Sequence, residues 1–313
     1  MREVTCFGKA TVANFSCGFD VLGFSVEKPG DTVKLRKTEQ FTGVKITVIS
    51  GTDRLSSDPE RNTAGFAVLK YLELFNLDNI GIELELWKDM PLGSGMGSSA
   101  ASAAAAIRGI DKLFGERATD RQLLEIGMAC EKLACGSAHA DNIAPSLFGG
   151  IILIRETDTE DFVRIPVPKG LYCMIVHPDI VVNTKDSRNI LPEKIPLEQA
   201  VRQWANIASL ISALYQGDFD LLRRSLTDYI VEPVRRKLIP CFTEMRHIAL
   251  QDDLFNLSIS GSGPSVFSLS DSEDKLFHAA EKIKRLLCQN GIRSQYYISE
   301  LTGKGSEIVD CEV

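Results

Sequence analysis

Apolar residues recur along this chain with two different periods, and the switches between them outline its elements. In the first ninety residues the period is mostly two: Val44, Ile46 and Val48 alternate with polar positions, and Ile82, Leu84 and Leu86 with Glu83 and Glu85. Such alternation predicts strands buried on one face. Between them, residues 62–75 carry Phe66, Leu69, Tyr71, Leu72 and Phe75 at helical spacing. An alanine-rich helix is predicted from Ser98 to about Phe114. Another, opened by the capping-box pattern Thr119-x-x-Gln122, runs to about Leu133, since those two side chains can satisfy free backbone N–H groups reciprocally. Phe148-Gly149-Gly150 then leads into a fully apolar strand over residues 151–154.

After a loop at 156–161 the character changes. Residues 172–176 read as a buried strand. Pro196 opens a long helix with Val201, Trp204, Ala208, Ile211 and Leu214 on one face, the face expected to meet the core. Residues 218–227 and 243–250 also look helical. Strands at 257–259 and 266–269 flank the turn Ser260-Gly261-Ser262-Gly263-Pro264. A strongly amphipathic helix through Leu276, Ala279, Ile283, Leu286 and Leu287 ends at Gly291, and a last strand spans 293–299. Helices and strands are mixed throughout, with a seam near 155–170. The expected division is an N-terminal domain over 1–160 and a C-terminal domain over 161–313.

With 313 residues, 44% hydrophobic and 25% charged, the composition is that of a soluble globular protein. The net charge of −7 argues against a nucleic-acid partner, which asks for a basic face. No apolar run approaches the length of a membrane span, and the alanine tract at 100–106 is short. No charged region precedes an apolar core at the N-terminus, so no signal peptide is expected. The eight cysteines (6, 17, 130, 135, 173, 241, 288 and 311) form no C-x-x-C pair and read as reduced thiols. His139, His177, His247 and His278 do not stand at zinc spacings. A cytoplasmic protein is expected, with no metal beyond an ion that accompanies a nucleotide.

The candidate chemistry begins at Pro91-Leu92-Gly93-Ser94-Gly95-Met96-Gly97-Ser98-Ser99-Ala100-Ala101. This stretch follows an alternating strand and opens the alanine-rich helix. Its glycines allow tight turns and close approach to a ligand, and a helix N-terminus with free N–H groups favours a phosphate. The hydroxyls of Ser98 and Ser99 can donate to phosphate oxygens or reach Mg²⁺. It is not a Walker A loop, having no lysine, nor a dinucleotide fingerprint, whose third glycine is replaced by Ser98.

Four other segments place polar residues where a core needs none. Asn14 and Asp20 bracket a glycine-containing bend, suited to an amine or hydroxyl or to a self-satisfied Asx turn. Glu131 and the cluster His139-Ala140-Asp141-Asn142 suit Mg²⁺ and a substrate hydroxyl, or are exposed loop residues. Asn183-Thr184-Lys185-Asp186-Ser187-Arg188 and Glu232-Pro233-Val234-Arg235-Arg236 each carry an arginine. Two such guanidinium forks can converge on a carboxylate; singly they are surface charges. Gly261-Ser262-Gly263 offers backbone N–H groups to an anion, or is a plain turn.

Taken in order, these segments resemble the homoserine kinases, a branch of the GHMP superfamily that also holds galactokinase, mevalonate kinase and phosphomevalonate kinase. The resemblance covers nearly the whole chain. Its parts are A-T-V-A-N-F-S-C-G-F-D-V-L-G at 10–23, P-L-G-S-G-M-G-S-S-A-A-S at 91–102, H-A-D-N-I-A-P-S at 139–146, T-K-D-S-R at 184–188, E-P-V-R at 232–235 and S-G-S-G-P-S at 260–265. It implies an α+β two-lobed GHMP kinase fold, with an N-terminal lobe like the second domain of ribosomal protein S5 and a ferredoxin-like C-terminal lobe. The implied activity is ATP-dependent phosphorylation of the side-chain hydroxyl of L-homoserine, on the route to threonine. By the same resemblance residues 91–101, with Gly261, Ser262 and Gly263, hold the ATP phosphates, Ser99 and Glu131 lie near Mg²⁺, and Asn62 lies near the adenine. Asn14, Asp20, His139, Asp141 and Asn142 line the homoserine amine and hydroxyl. Arg188 and Arg235 take its carboxylate, with Thr184 close by.

The opening departs from the family's usual Pro-Ala-Thr-Ser-Ala-Asn: Lys9 and Val12 replace the proline and the serine, and Ser16-Cys17 a common Gly-Pro. Thr11 stands where mevalonate kinases carry a lysine, so the lysine–aspartate base pair proposed for them is incomplete, although Asp141 aligns with its aspartate. Asp141, Asn142, Ser99 and Glu131 are the expected catalytic group, whether Asp141 acts as a base or only positions the hydroxyl. The resemblance also implies a homodimer. The rival readings are another GHMP kinase acting on a mevalonate-like or sugar alcohol, and a non-catalytic sensor on the same fold.

Overall fold

The computed structural model describes residues 1–77, 79–136, 138–157, 161–182 and 184–312, and the side chains of Thr184 and Lys185 lie outside that description. The alternation does what it predicts in β4 (Gly81–Trp87), where Ile82, Leu84 and Leu86 are fully buried between half-buried glutamates. In β3 (Gly43–Ser50) it breaks: the register shifts between Ile46 and Val48, which leaves Val48 exposed and turns Ile49 toward the core.

The long strand β2 (Leu22–Thr38) is the spine of the first sheet. It runs antiparallel to β1 (Glu3–Ala13) along most of its length, to β4 through its second half, and to β5 (Ile151–Glu156) through its first three residues. β3 joins β4 in parallel, the crossover being α1 (Thr63–Leu74). Helices α1, α2 (Ser98–Leu113), α3 (Asp120–Cys135) and α4 (Ala140–Phe148) share one core with this sheet. The predicted capping box is present at Thr119 and Gln122.

The second sheet has the order β10 (Ser294–Glu300), β7 (Tyr172–Pro178), β9 (Val266–Ser270), β8 (Leu257–Ile259), all antiparallel. Helices α9 (Phe242–Gln251) and α10 (Glu273–Gln289) pack on it. A third core bridges the two sheets, with Phe15, Phe24 and Phe267 edge to face and α6 (Leu197–Gln216) and α7 (Phe219–Ser225) against them.

Two expectations are corrected. Sheet membership does not divide at residue 160: β6 (Asp161–Ile165) is the hairpin partner of β5, and after β10 the chain returns as β11 (Glu307–Glu312) to pair with β1. Both strands sit at sheet edges, where no continuous apolar pattern marks them. On α6 the core-facing residues are Ala200, Gln203, Leu210, Ala213 and Leu214, whereas Val201 and Trp204 are 51% and 58% exposed. Gln203 turns inward because its amide is fully used, donating to Cys17 O and Asp228 Oδ1 and accepting from Tyr229 N.

Beneath the first turn of α2 lies a buried ion pair. The Lys88 ammonium contacts the Asp31 carboxylate and donates to Ser98 O at 2.5 Å and Ser102 Oγ at 2.9 Å. Asp31 also accepts from Ser102 Oγ and from Met90 N. Burial pushes the Asp31 carboxyl up and the Lys88 ammonium down, and each charge opposes the other's shift. Removing one partner strands the other in the core. Lys88→Ala or Asp31→Ala is expected to cost about 3–5 kcal/mol in urea unfolding, and the double variant less than the sum of the two.

Candidate active site

Between the lobes lies a cavity of about 690 Å³, within the size range of small-molecule sites. One end is built by the glycine loop and α2. Gly93, Gly95 and Gly97 have φ of 67°, 77° and 66°, the left-handed region that side chains avoid. Two of them are also hemmed in. A Cβ on Gly97 would stand 2.0 Å from Thr11 Oγ1, and one on Gly95 2.7 Å from the carbonyl oxygens of Ser260 and Gly263. The turn at 260–264 therefore buttresses the loop: Ser260 Oγ donates to Gly95 O and Ser265 N to Ser94 O.

Gly97 is the N-cap of α2 and has no side chain to cap it, so the first-turn N–H groups and the positive end of the dipole face the cavity. Ser98 Oγ is buried with no hydrogen-bond partner in the structure. A buried orphan hydroxyl at an uncapped helix N-terminus suits a phosphate. Of the expected loop residues, Leu92, Gly93, Ser94, Gly95, Gly97, Ser98 and Ser99 line the cavity, as do Gly261 and Ser262. Pro91, Met96, Ala100, Ala101 and Gly263 do not; Met96, Ala100 and Ala101 are core residues that seat the loop. Asn62 reaches the cavity while capping α1, its Oδ1 accepting from Ala64 N and Gly65 N and its Nδ2 donating to Ser56 O.

The middle of the cavity is acidic. Glu131, on α3, accepts from Ser99 Oγ at 3.4 Å. Asp141 and Asn142 come from the first turn of α4, a buried helix where exposed loop residues were the alternative. Burial first, and the neighbouring Asp141 second, push the Glu131 carboxyl up to about 8. Burial, with Asp20 second, pushes Asp141 up to about 7, against the pull of Arg188 and Arg235. Two buried carboxyl groups without a cation between them suit a divalent ion. Among the described residues no three His, Cys, Asp or Glu gather as a metal cage; a pair of carboxylates is the donor set that Mg²⁺ takes when substrate phosphates supply other ligands.

At the other end the second lobe contributes two arginines. Arg188, on α5 (Thr184–Asn189), grips Asp20 with both nitrogens, at 3.0 and 2.9 Å. Arg235 ends α8 (Glu232–Arg235), a turn organised by the Asp228 carboxylate, which accepts from the backbone of Ile230, Val231 and Glu232. Arg235 is 3% exposed, donates to Ser187 O and Gly261 O, and shares the Phe19 ring with Arg188. Burial, then Arg188, lower it to about 10, so it stays charged. Asn14 is engaged at both ends: its Oδ1 accepts from Asp20 N and closes the bend of its own segment, while its Nδ2 donates to Gly261 O and ties the lobes together. His139 lies 4.0 Å from Asp20, and burial lowers its pKa. The side chain of Thr184 lies outside the described residues.

The cavity also contains residues that sequence reasoning missed. Lys88 is among them, with Leu55, Arg61, Leu133 and Cys135. None carries a local signal, because each sits on an ordinary helix, loop or strand that only the packing of α1 and α3 around α2 turns toward the ligand.

The fold and the cavity are those of a GHMP kinase. Residues 62–150 match the family of GHMP kinases N terminal domains, and residues 210–287 that of GHMP kinases C terminal. The chain is 43% identical to a homoserine kinase from Chlorobium phaeobacteroides (strain BS1), over 99% of its own length and 100% of the relative's. It is 42% identical to that of Chlorobaculum tepidum, with 99% of each covered. The crystal structure of homoserine kinase from Cytophaga hutchinsonii superposes with a TM-score of 0.95 at 47% identity, covering 99% of this chain and 98% of that one. A mevalonate kinase from L. major shares the fold at a TM-score of 0.71 and 15% identity, over 95% and 96% of the two chains. The chain belongs to the homoserine kinase family of the GHMP kinases. No described helix is long and apolar enough to cross a membrane.

The raised carboxyl pKa values carry a sign for stability. Glu131 and Asp141 hold protons in the folded state at pH values where the unfolded chain has lost them, so folding is favoured at low pH and weakens as pH rises from the ordinary carboxylate range through about 8. Without divalent cations, Glu131→Gln is expected to lose less Tm than the wild type between about pH 6 and about pH 8.5. Equal losses in a thermal melt would contradict the burial argument.

Proposed function

We infer that the chain transfers the γ-phosphoryl group of ATP to the side-chain hydroxyl of L-homoserine, giving O-phospho-L-homoserine. The observation that carries this reading is the juxtaposition, in one cavity, of an uncapped helix N-terminus with an orphaned Ser98 hydroxyl, two buried carboxyl groups and a pair of arginines. Phosphoryl transfer asks little covalent help of the protein and depends on alignment and charge neutralisation.

In this reading the backbone of residues 93–98 and the hydroxyl of Ser98 bind the phosphates, with Asn62 toward the adenine. Ser99 and Glu131 hold Mg²⁺, which when bound neutralises the phosphate charge. Asp141 and Asn142 hold the attacking hydroxyl. Asp141, buried beside Asn142 in the first turn of α4, either accepts the hydroxyl proton as the new P–O bond forms and the bond to ADP breaks, or only positions the hydroxyl.

Substrate recognition follows from the Asp20–Arg188 pair. Homoserine carries an ammonium and a carboxylate on one carbon, the same two charges that Asp20 and Arg188 satisfy for each other. Binding exchanges partners: the ammonium goes to Asp20, and the carboxylate to Arg188 and Arg235. The pair is half exposed, at 30% and 40%, and such pairs are worth only about 0–1 kcal/mol, so opening it costs little.

Coupled ADP detection with L-homoserine, L-threonine, L-serine and mevalonate tests the activity; turnover of another alcohol and none of L-homoserine would refute it. In the same assay Arg235→Leu is expected to lower kcat/KM for homoserine by about 30- to 1000-fold, the loss of a charge-assisted bond of about 2–4 kcal/mol. The amino alcohol that homoserine becomes without its carboxylate should be poor for the wild type and little affected by the variant. An equal loss on both substrates would move Arg235 out of the carboxylate site.

We further propose a homodimer in the cytoplasm. Exposed, unpaired Cys135, Cys288 and Cys311 suit a reducing compartment. Leu197, Val201, Trp204 and Tyr215 form an exposed apolar row on α6, with exposures of 71%, 51%, 58% and 60%, which suits a covered face. Trp204→Glu should then shift the sedimenting species to monomer; an unchanged dimer would exclude this face.

A further inference from the structure

We propose that Thr11 is a positioning residue for phosphoryl transfer: its hydroxyl holds the Asn142 side chain with the amide nitrogen toward the cavity. The inference rests on the kinase reading above. Thr11 is in β1 and fully buried, and it does not line the cavity, so whatever it does for catalysis it does through a neighbour. Its backbone N–H donates to Met96 O at 3.0 Å, and the Gly97 backbone is packed so close that a Cβ there would meet Thr11 Oγ1 at 2.0 Å and Asn142 Oδ1 at 2.9 Å. The hydroxyl is therefore clamped between the strand and the cap of α2.

Thr11 Oγ1 donates to Asn142 Oδ1 at 2.7 Å. A threonine hydroxyl has one proton, and among the described residues Asn142 Oδ1 is the acceptor the structure gives it. Turning the amide over would place two donors against that hydroxyl and leave its proton without this acceptor in a closed site, a cost that selects one orientation. With Oδ1 occupied, the two N–H donors of Asn142 remain for the cavity, beside Asp141 and across from the N-terminus of α2. One donor can hold the oxygen of the attacking hydroxyl and the other an equatorial oxygen of the transferring phosphoryl group; the amide carbonyl in their place would repel the phosphoryl oxygens. Through its backbone N–H on Met96 O and its hydroxyl on Asn142 Oδ1, Thr11 ties both the glycine loop and α4 to β1, so nucleotide and acceptor hydroxyl are referenced to one point.

The experiment compares Thr11→Val, which keeps the shape and removes the donor, with Thr11→Ser, which keeps the hydroxyl. In ADP release with homoserine, Thr11→Val should lower kcat by about 10- to 100-fold, below the 10²- to 10³-fold ceiling for losing one transition-state donor outright. The KM values for ATP and homoserine should stay within about threefold, and Thr11→Ser should restore kcat to within about threefold. Thr11→Val in an Asn142→Ala background should change nothing further, because a residue that acts only through Asn142 has nothing left to position. If Thr11→Val fails to fold, Thr11→Cys, a weak donor, should give an intermediate kcat. Wild-type kcat in Thr11→Val, or full additivity with Asn142→Ala, overturns the assignment. Absence of homoserine turnover in the wild type would instead overturn the kinase reading, so the two failures are distinct.

Discussion

The site depends on keeping the N-terminus of α2 uncapped. A glycine at the N-cap leaves the first-turn N–H groups without a side-chain partner, an arrangement that normally weakens a helix start. Here the start is held by tertiary means instead. Lys88 grips Ser98 O from below while paired with Asp31, Thr11 and Asn142 enclose Gly97 from the side, and the turn at 260–264 presses on Gly95. Fixing the helix without using its donors is what leaves them available to a phosphate.

That arrangement explains why the lobes are fused rather than hinged at a bare linker. Their shared core around Phe15, Phe24 and Phe267 lies directly behind the glycine loop, with Met96 part of it. Asn14 of the first lobe and Arg235 of the second both donate to the same carbonyl, Gly261 O. The proposed phosphate cradle in one lobe and the proposed carboxylate clamp in the other are thus spaced by packed side chains and shared hydrogen bonds. In-line transfer needs this rigidity, because misplacement by an ångström is costly in rate.

Charge is balanced across the cavity by position rather than by pairing within each group. Burial and Asp141 raise the proton affinity of Glu131, burial and Asp20 raise that of Asp141, and burial and Arg188 lower that of Arg235 at the far end. Asp20 and Arg188 meet directly. The acidic middle is matched to a cation and the basic end to an anion, a polarity that suits a metal–nucleotide complex beside an amino-acid carboxylate.

Much of this was legible in the sequence. The helices and most strands follow from apolar period and capping residues: β4 alternates as written, α3 starts at its capping box, and the glycine loop opens α2. These features are local, determined by residues within a few positions of each other, and the motifs that mark the family are of the same kind. What the sequence did not reveal depends on residues far apart along the chain. Two apolar rows on α6 compete for the core, and a buried Gln203 with three long-range hydrogen bonds decides between them. β6 and β11 are strands only because β5 and β1 offer edges. Lys88 finds Asp31, and Thr11 finds Asn142, across 57 and 131 residues. The sequence by itself determined which chemical groups this protein possesses and the local elements that carry them. The tertiary structure alone decided which of those groups are buried, which donors remain free and how the acids and arginines share one cavity, because burial and long-range pairing have no counterpart in local spacing.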